Sequence, residues 1–394
     1  MSETAAHLVD RIIPDVPMRQ WVLTVPQPLR YLLSYDTELC SVVIKEHIRS
    51  VFAWLLQKAK SELGLASVTL AHPGAVTALQ RFNSAAALSV HIHALVTDGV
   101  FVAKEDGTSV AFRALPAPTH AEIASVAWST CQRVVEHLRR EGRFTDAEST
   151  DALAQDEPGL AQCYSGSILG ILTLGPKAGT RVVRLFGQAA DESPTKPKAA
   201  HGFDVHAGTR VSADDKKGRE RLCRYLLRPP LSQDRLTRLL DGRVQLRLKR
   251  PWRDGTTHML FEPLDFLSKL AALVPPPRAH LVRYAGVFAP NHKLRAHVVP
   301  APPLDENTPC IHATDEPSPA STKRRQSWAQ LMARVFEKDV RQCPRCGKGP
   351  MQTIAVITQP LVIRKILESI GMPADAPRPY PARLPVQAEL EFSA

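Results

Sequence analysis

The sequence predicts an α+β protein, and three observations predict it. Short β-rich runs at 20–26, 75–82 and 88–102 sit between longer stretches whose apolar residues keep helical spacing. An Asp241-Gly242 pair between two further runs is a hairpin turn signal. Prolines cluster between 275 and 320 and set apart a C-terminal segment that carries a Cys-x-x-Cys pair. A chain of 394 residues suits two or three domains of about 100–200 residues, and 44% hydrophobic content can bury real cores.

In chain order, QWVLTVP (20–26) is the first strand, ended by proline. From about 37 to 62, Leu39, Val43, Ile48, Val51, Phe52, Leu55 and Leu56 fall at helical spacing, with Asp36 as N-cap. AVTALQRF (75–82) and LSVHIHALVTDGVFV (88–102) are two strands joined by an Asn-Ser-Ala link. A short strand near 109–114 follows, then a helix over 119–140 striped by Ile123, Val126, Ala127, Val134, Val135 and Leu138. Residues 145–158 and 190–200 are polar or rich in Pro and Lys and read as loops. KKGRERLCRYLLR (216–228) is a basic helix stopped by Pro229 and Pro230. After the hairpin turn, Val244, Leu246 and Leu248 alternate with Arg243, Gln245, Arg247 and Lys249, giving an apolar and a basic strand face. A strand over 256–262 and a helix over 264–273 close this region. The divisions are a tail (1–16), a main domain (17–300), a Pro-rich linker (301–324) and a C-terminal helix, Cys-x-x-Cys, strand and helix module with its tail (325–394).

Fifty Lys and Arg against 39 Asp and Glu leave a net charge of +11. That suits a polyanionic partner, nucleic acid before a membrane surface, although a solvated basic face explains the charge equally well. No apolar run reaches the ~18 residues of a membrane span. The N-terminus, MSETAAHLVDRIIPD, lacks the basic start and apolar core of a signal peptide. Seven scattered cysteines suggest a reducing cytoplasm rather than a disulfide framework.

The chemistry centres on His91-Ile92-His93 within an apolar strand. Residues two apart on a strand share a face, so both imidazoles can reach one divalent cation that keeps positions open for substrate oxygens. A His-x-His pair alone is weak evidence, since isolated histidines are more often structural. The second element is Tyr225, in a helix crowded with Arg219, Arg221, Arg224 and Arg228. A tyrosine hydroxyl can attack a phosphodiester and hold the cut strand covalently, provided that cations or a metal activate it. The competing reading is a tyrosine at a helix–core boundary among solvated arginines.

Five strings in this chain carry a resemblance. They are QRFNSAAALSVHIHALVTDGVF (80–101), GFDVHAG (202–208), RERLCRYLLRPPLSQDRL (219–236), the run from Lys249 to Pro290, and WAQLMARVFEKDVRQCPRCGKGPM (328–351). In this order they resemble rolling-circle transposases of the IS ninety-one and ISCR (common-region) group, across most of residues 17–372. The resemblance implies a His-hydrophobic-His nuclease, with a central antiparallel sheet holding the histidines and a helix presenting the tyrosine. It implies Mg²⁺ or Mn²⁺ on His91 and His93, attack by Tyr225, and a 5′-phosphotyrosine beside a free 3′-hydroxyl. Gln80 is the candidate third ligand, with His206 the weaker choice. The implied partner is single-stranded DNA at transposon ends and target, with no membrane, in a bacterial cytoplasm beside the nucleoid.

The chain departs from that family pattern in two ways. Arg221 stands four residues before Tyr225, where two-tyrosine members carry a second tyrosine, so a single tyrosine must act twice, act from two subunits of a homodimer, or leave strand transfer incomplete. Tyr31 and Tyr35 have the right spacing in the wrong motif. The cysteine-rich zinc domain that usually opens such proteins has no counterpart here, which keeps open a decayed, DNA-binding remnant. A plasmid replication initiator or relaxase, and a small-molecule hydrolase, are further rivals.

Weaker signals complete the reading. Cys343 and Cys346 have zinc-knuckle spacing but supply two of four ligands; Cys310 and His312 would complete the set, and a metal-free turn competes. Arg243, Arg247 and Lys249, with Trp252 and Arg253, suit a single-stranded DNA groove in which cations track phosphates and Trp252 stacks on a base; the competing reading is a solvent-facing strand with Trp252 packed underneath it. Arg81 would hold a phosphate near the active face or, equally, make a surface salt bridge. Asp98 is either a metal ligand or a turn residue beside Gly99.

Overall fold

The molecule is described by a computed structural model over residues 2–103, 110–143, 151–186, 202–277, 279–300, 327–337, 339–343, 346–347, 351 and 357–371. The expected linker 301–324, the 190–200 loop, Cys310 and His312 lie outside these residues. The chain divides into two units, one of residues 3–236 and 240–303, the other chiefly 304–394.

In the first unit the elements are α1 (Ser2–Arg11), β1 (Met18–Thr24), α2 (Gln27–Tyr35), α3 (Thr37–Leu63), β2 (Gly74–Phe82), β3 (Leu88–Thr97), β4 (Gly99–Ala103) and β5 (Val110–Ala114). Then come α4 (His120–Arg140), α5 (Ala152–Asp156), α6 (Pro158–Leu169), β6 (Val183–Phe186), β7 (Asp204–Val211), α7 (Lys216–Leu226), β8 (Val244–Arg247), β9 (Thr256–Phe261), α8 (Pro263–Leu273) and β10 (Val282–Gly286). The mixed α+β class is as expected. The central sheet runs β10–β2–β3–β1–β7 and every pairing in it is antiparallel.

Alternation along these strands feeds a different core on each face. Trp21, Leu23, Val90, Ile92, Ala94 and Val96 point to the layer of α3, α4, α6 and α8, where Leu39, Val43, Val51 and Val134 bury. Met18, Val76, Ala78 and Leu95 point the other way and pack with Leu8, Ile12, Leu222, Cys223, Leu226 and Phe288. Helix α7, which carries Tyr225, therefore lies on the face to which His91 and His93 project. Helix ends behave as their sequences ask: the Asp36 carboxylate accepts from Leu39 N, and Thr119 with Glu122 closes a capping box.

Three expectations are corrected. Residues 1–16 are not a loose tail, because α1 buries Ala5, Leu8 and Val9, and Ile12 and Ile13 bury just beyond it. The strand expected over 88–102 is two strands in two sheets, since Asp98 turns inward to ion-pair with Arg19 and Arg210, each at 2.7 Å. That carboxylate is a structural clamp and no metal ligand. The loop expected over 145–158 contains α5, capped by Asp151.

The second unit contains α9 (Trp328–Phe336) and α10 (Pro360–Ser369). None of its described residues from 327 onward is buried. Cys343 is half-buried and Cys346 exposed around a turn in which Gly347 N donates to Cys343 O at 2.8 Å. Among the described residues no helix is long and apolar enough to cross a membrane.

Candidate active site

The strand register sets the site. Gln80 pairs opposite His91 and Ala78 opposite His93 on one side, while Thr24 and Val22 pair with them on the other. The two imidazole rings lie edge to face, with centroids 4.8 Å apart. His91 Nδ1 donates to the Ser89 carbonyl at 2.7 Å; because a carbonyl only accepts, the bare nitrogen of the neutral ring is Nε2. His93 Nδ1 meets the Gln20 side-chain amide at 2.7 Å, and its Nε2 is buried with no hydrogen-bond partner. A half-turn of that amide would present Oε1 to an Nδ1–H, so Gln20 can hold His93 in the same tautomer as His91.

Both rings are held neutral. Burial depresses the pKa of His93 to about 3, with smaller pushes from His91 and the Arg228 guanidinium. Burial also lowers His91, against the Ser89 hydrogen bond that raises it. Neutral imidazole is the form that binds a metal.

Helix α7 brings Tyr225 onto this pair. Its ring stands at 87° to that of His93, with centroids 5.9 Å apart, and the side chain is 43% exposed. Several contacts fix the helix. Asp215 caps its N-terminus, the buried Arg219 pairs with Asp15, and Lys216 reaches Asp10 at 3.3 Å. Arg219 is thus a clamp to the segment after α1 and not part of a basic face. At the other end Gln80 Nε2 donates to the main-chain oxygens of Tyr225 at 3.1 Å and Leu226 at 2.8 Å, leaving a buried Oε1 without a partner.

Cations surround the tyrosine. Arg228 Cζ lies 4.2 Å and Lys249 Nζ 5.9 Å from its ring centroid, both within cation–π range. Burial and the nearby Arg228 and Arg235 lower the Lys249 pKa. Among the described residues no carboxylate pairs with Arg228.

The other expected residues divide. Arg221 is exposed and Arg224 half-buried on α7, and Arg253 is exposed. Arg243 pairs with Asp241 at 2.6 Å and Arg247 with Asp234 at 3.8 Å, both at the surface. Trp252 packs against the core and carries Arg184 Cζ 5.0 Å from its ring centroid, so a base stacking there must displace that guanidinium. Arg81 is corrected outright. It follows Gln80 on the strand, so it points to the opposite face, where it is buried, donates to Ser34 O at 2.8 Å and Ala272 O at 3.3 Å, and lies over Tyr164. His206 shares the His93 row through Val22 but sits two strands away on β7, on the order of 10 Å across the sheet. Tyr31 and Tyr35 pack on the opposite core, and burial and Asp151 raise the Tyr31 pKa. Gln20 was missed by the sequence reading; the signal for it was a polar residue at the head of an apolar strand.

Sheet, neutral histidine pair, edge-on tyrosine and cation rim lie together on one face of an α+β protein. Residues 74–295 match the transposase family Y2_Tnp, a stretch that is more than half of the chain and includes both histidines and the tyrosine. The chain belongs to that transposase family, and DNA is accordingly its partner. No curated protein and no solved structure matches it.

Proposed function

We propose that this transposase cuts and rejoins single DNA strands through Tyr225, in the rolling-circle manner of the IS ninety-one and ISCR group. The observation that carries the reading is the approach of Tyr225 to the His91–His93 pair, with ring centroids of Tyr225 and His93 5.9 Å apart. In the reaction the Tyr225 oxygen bonds to the scissile phosphorus and gives up its proton, and the bond from phosphorus to the 3′-oxygen breaks. The 3′-oxygen takes a proton, which leaves a 5′-phosphotyrosine and a free 3′-hydroxyl. Reversal on a new 3′-hydroxyl rejoins the strand without ATP, since the phosphodiester energy is conserved.

His91 and His93 would hold Mg²⁺ or Mn²⁺. The fit rests on the orphaned, buried His93 Nε2 and on a hydrogen-bonded Nδ1 in each ring. Among the described residues no cluster of three His, Cys, Asp or Glu exists, so the third protein ligand would be the unpartnered Oε1 of Gln80. When bound, such a cation supplies Lewis-acid polarisation of the phosphate. Arg228 and Lys249 would hold the phosphate over the tyrosine, and Arg221, Arg224 and Arg253 would track the strand. The protein would work in the bacterial cytoplasm beside the nucleoid.

The test is a denaturing gel of the full chain with Mn²⁺ and labelled single-stranded DNA from its element's ends, beside Tyr225→Phe and an EDTA lane. The expected result is a covalent protein–DNA band that both controls remove. Binding to the correct end without a covalent band would replace this reading by a non-catalytic DNA-binding remnant.

A further inference from the structure

A cavity of about 260 Å³ opens beside the tyrosine, between the C-terminal end of α7 and the edge of the central sheet. It arises because two neighbouring strands stop at different places. The ladder from β2 to β10 ends at the pair Ala78–Val282 and the bond from Leu79 N to Leu281 O, whereas β2 itself continues to Phe82. Past Leu79, no described strand pairs with β2 on that side. The gap is walled by Phe82, Leu226, Leu227, Pro230, Leu273 and Leu281.

Position and chemistry select the occupant. Arg228 also lines the cavity, with its Cζ 4.2 Å from the Tyr225 ring centroid and 5.7 Å from that of Phe82, so it bridges nucleophile and cavity. An apolar slot with a cation at its rim, one side chain from the attacking oxygen, fits a flat apolar group attached to a phosphate. The volume, on the order of nine liquid waters, leaves room for one purine or pyrimidine. The edge of β2 beyond Leu79, which lines the cavity, adds main-chain donors and acceptors to it. We propose that this cavity takes the nucleobase adjoining the scissile phosphate, so that the sheet edge reads one position of the DNA. The inference rests on the tyrosine-cleavage reading.

The test uses the full chain, Mn²⁺ and a randomised single-stranded DNA pool, with the covalent adducts recovered and sequenced. Wild type is expected to enrich one base next to the cut bond by roughly tenfold, the low end of what hydrogen bonds to a base edge discriminate. Leu281→Trp, a substitution at a 38% exposed position that fills the cavity, is expected to erase that enrichment while keeping the wild-type melting temperature. On the DNA side, an abasic residue at that position is expected to lower the wild-type adduct yield by a similar factor. Adducts with no base preference, a preference unchanged in Leu281→Trp, or full yield from the abasic strand would each overturn the cavity's role and leave cleavage standing. No adduct from wild type at all would reject cleavage itself, and the inference with it.

Discussion

The two faces of the central sheet are built from the same strands and do opposite things. On one face Ile92, Val90 and Trp21 meet α3 and α4, Arg19 closes on Asp98, and Arg81 donates to the Ser34 and Ala272 carbonyls, although Arg81 Nε and His47 Nε2 find no hydrogen-bond partner there. On the other, His91 and His93 point at a half-exposed tyrosine, and His93 Nε2 and Gln80 Oε1 find no partner. Buried polar atoms normally are bonded, and of the unpartnered ones only those beside the exposed tyrosine stand where the proposed cation would satisfy them. A shift of one residue along a strand decides which of these fates a side chain has.

The largest effect that would test this contrast is Tyr225→Phe. It is expected to abolish the covalent adduct and leave the urea unfolding midpoint in place, since the hydroxyl belongs to a 43% exposed side chain. Ile92→Ala should do the reverse, costing about 2–5 kcal/mol of stability by cavity formation, with adduct yield per folded molecule retained. Loss of adduct in folded Ile92→Ala would break the division of labour.

A third histidine sharpens it. His47, on α3, is fully buried on the apolar side, and burial lowers its pKa from an ordinary 6.5 to about 4. The unfolded chain binds this proton more tightly, so the stability His47 contributes is complete above pH 6.5, falls as pH drops from 6.5 to about 4, and levels off below that. The loss is roughly 3 kcal/mol, and urea titrations of His47→Leu should show a flatter acid limb. An identical limb would assign the loss to other groups.

Gln20→Leu is the next smaller case. Without its hydrogen bond the His93 ring loses its fixed tautomer, and Mn²⁺ affinity by calorimetry should weaken about 10–100-fold. Equal affinity would reduce Gln20 to a packing residue. Smallest is Arg253→Ala at the surface, expected to change stability by no more than about 0.5 kcal/mol and to lower the salt slope of DNA binding by about one unit.

Much of this was legible in the chain. Helices α3 and α4 and strands β1, β2 and β3 follow from apolar spacing because their patterns repeat within a few residues, and their caps, Asp36 and Thr119, are local. The His-x-His pair and the basic tyrosine helix are likewise short-range words. Other features were not, because distant partners decided them. Asp98 ends β3 because Arg19 and Arg210 wait for it, and α1 holds because α7 covers it. Arg81 was misread although its parity with Gln80 was visible; which face held the site was not.

By itself the sequence determined most of the elements with local patterns, the net charge and the identity of the groups that could act on a phosphate, since each is a property of neighbours along the chain. Only the tertiary structure decided that Tyr225 meets His93, that Gln20 bonds the His93 ring and Gln80 the end of α7 while Arg81 turns to the opposite face, and that a cavity opens beside Arg228. The physical reason is that those juxtapositions depend on strand register and on which helix covers which sheet face, and both are fixed by burial summed over the whole core.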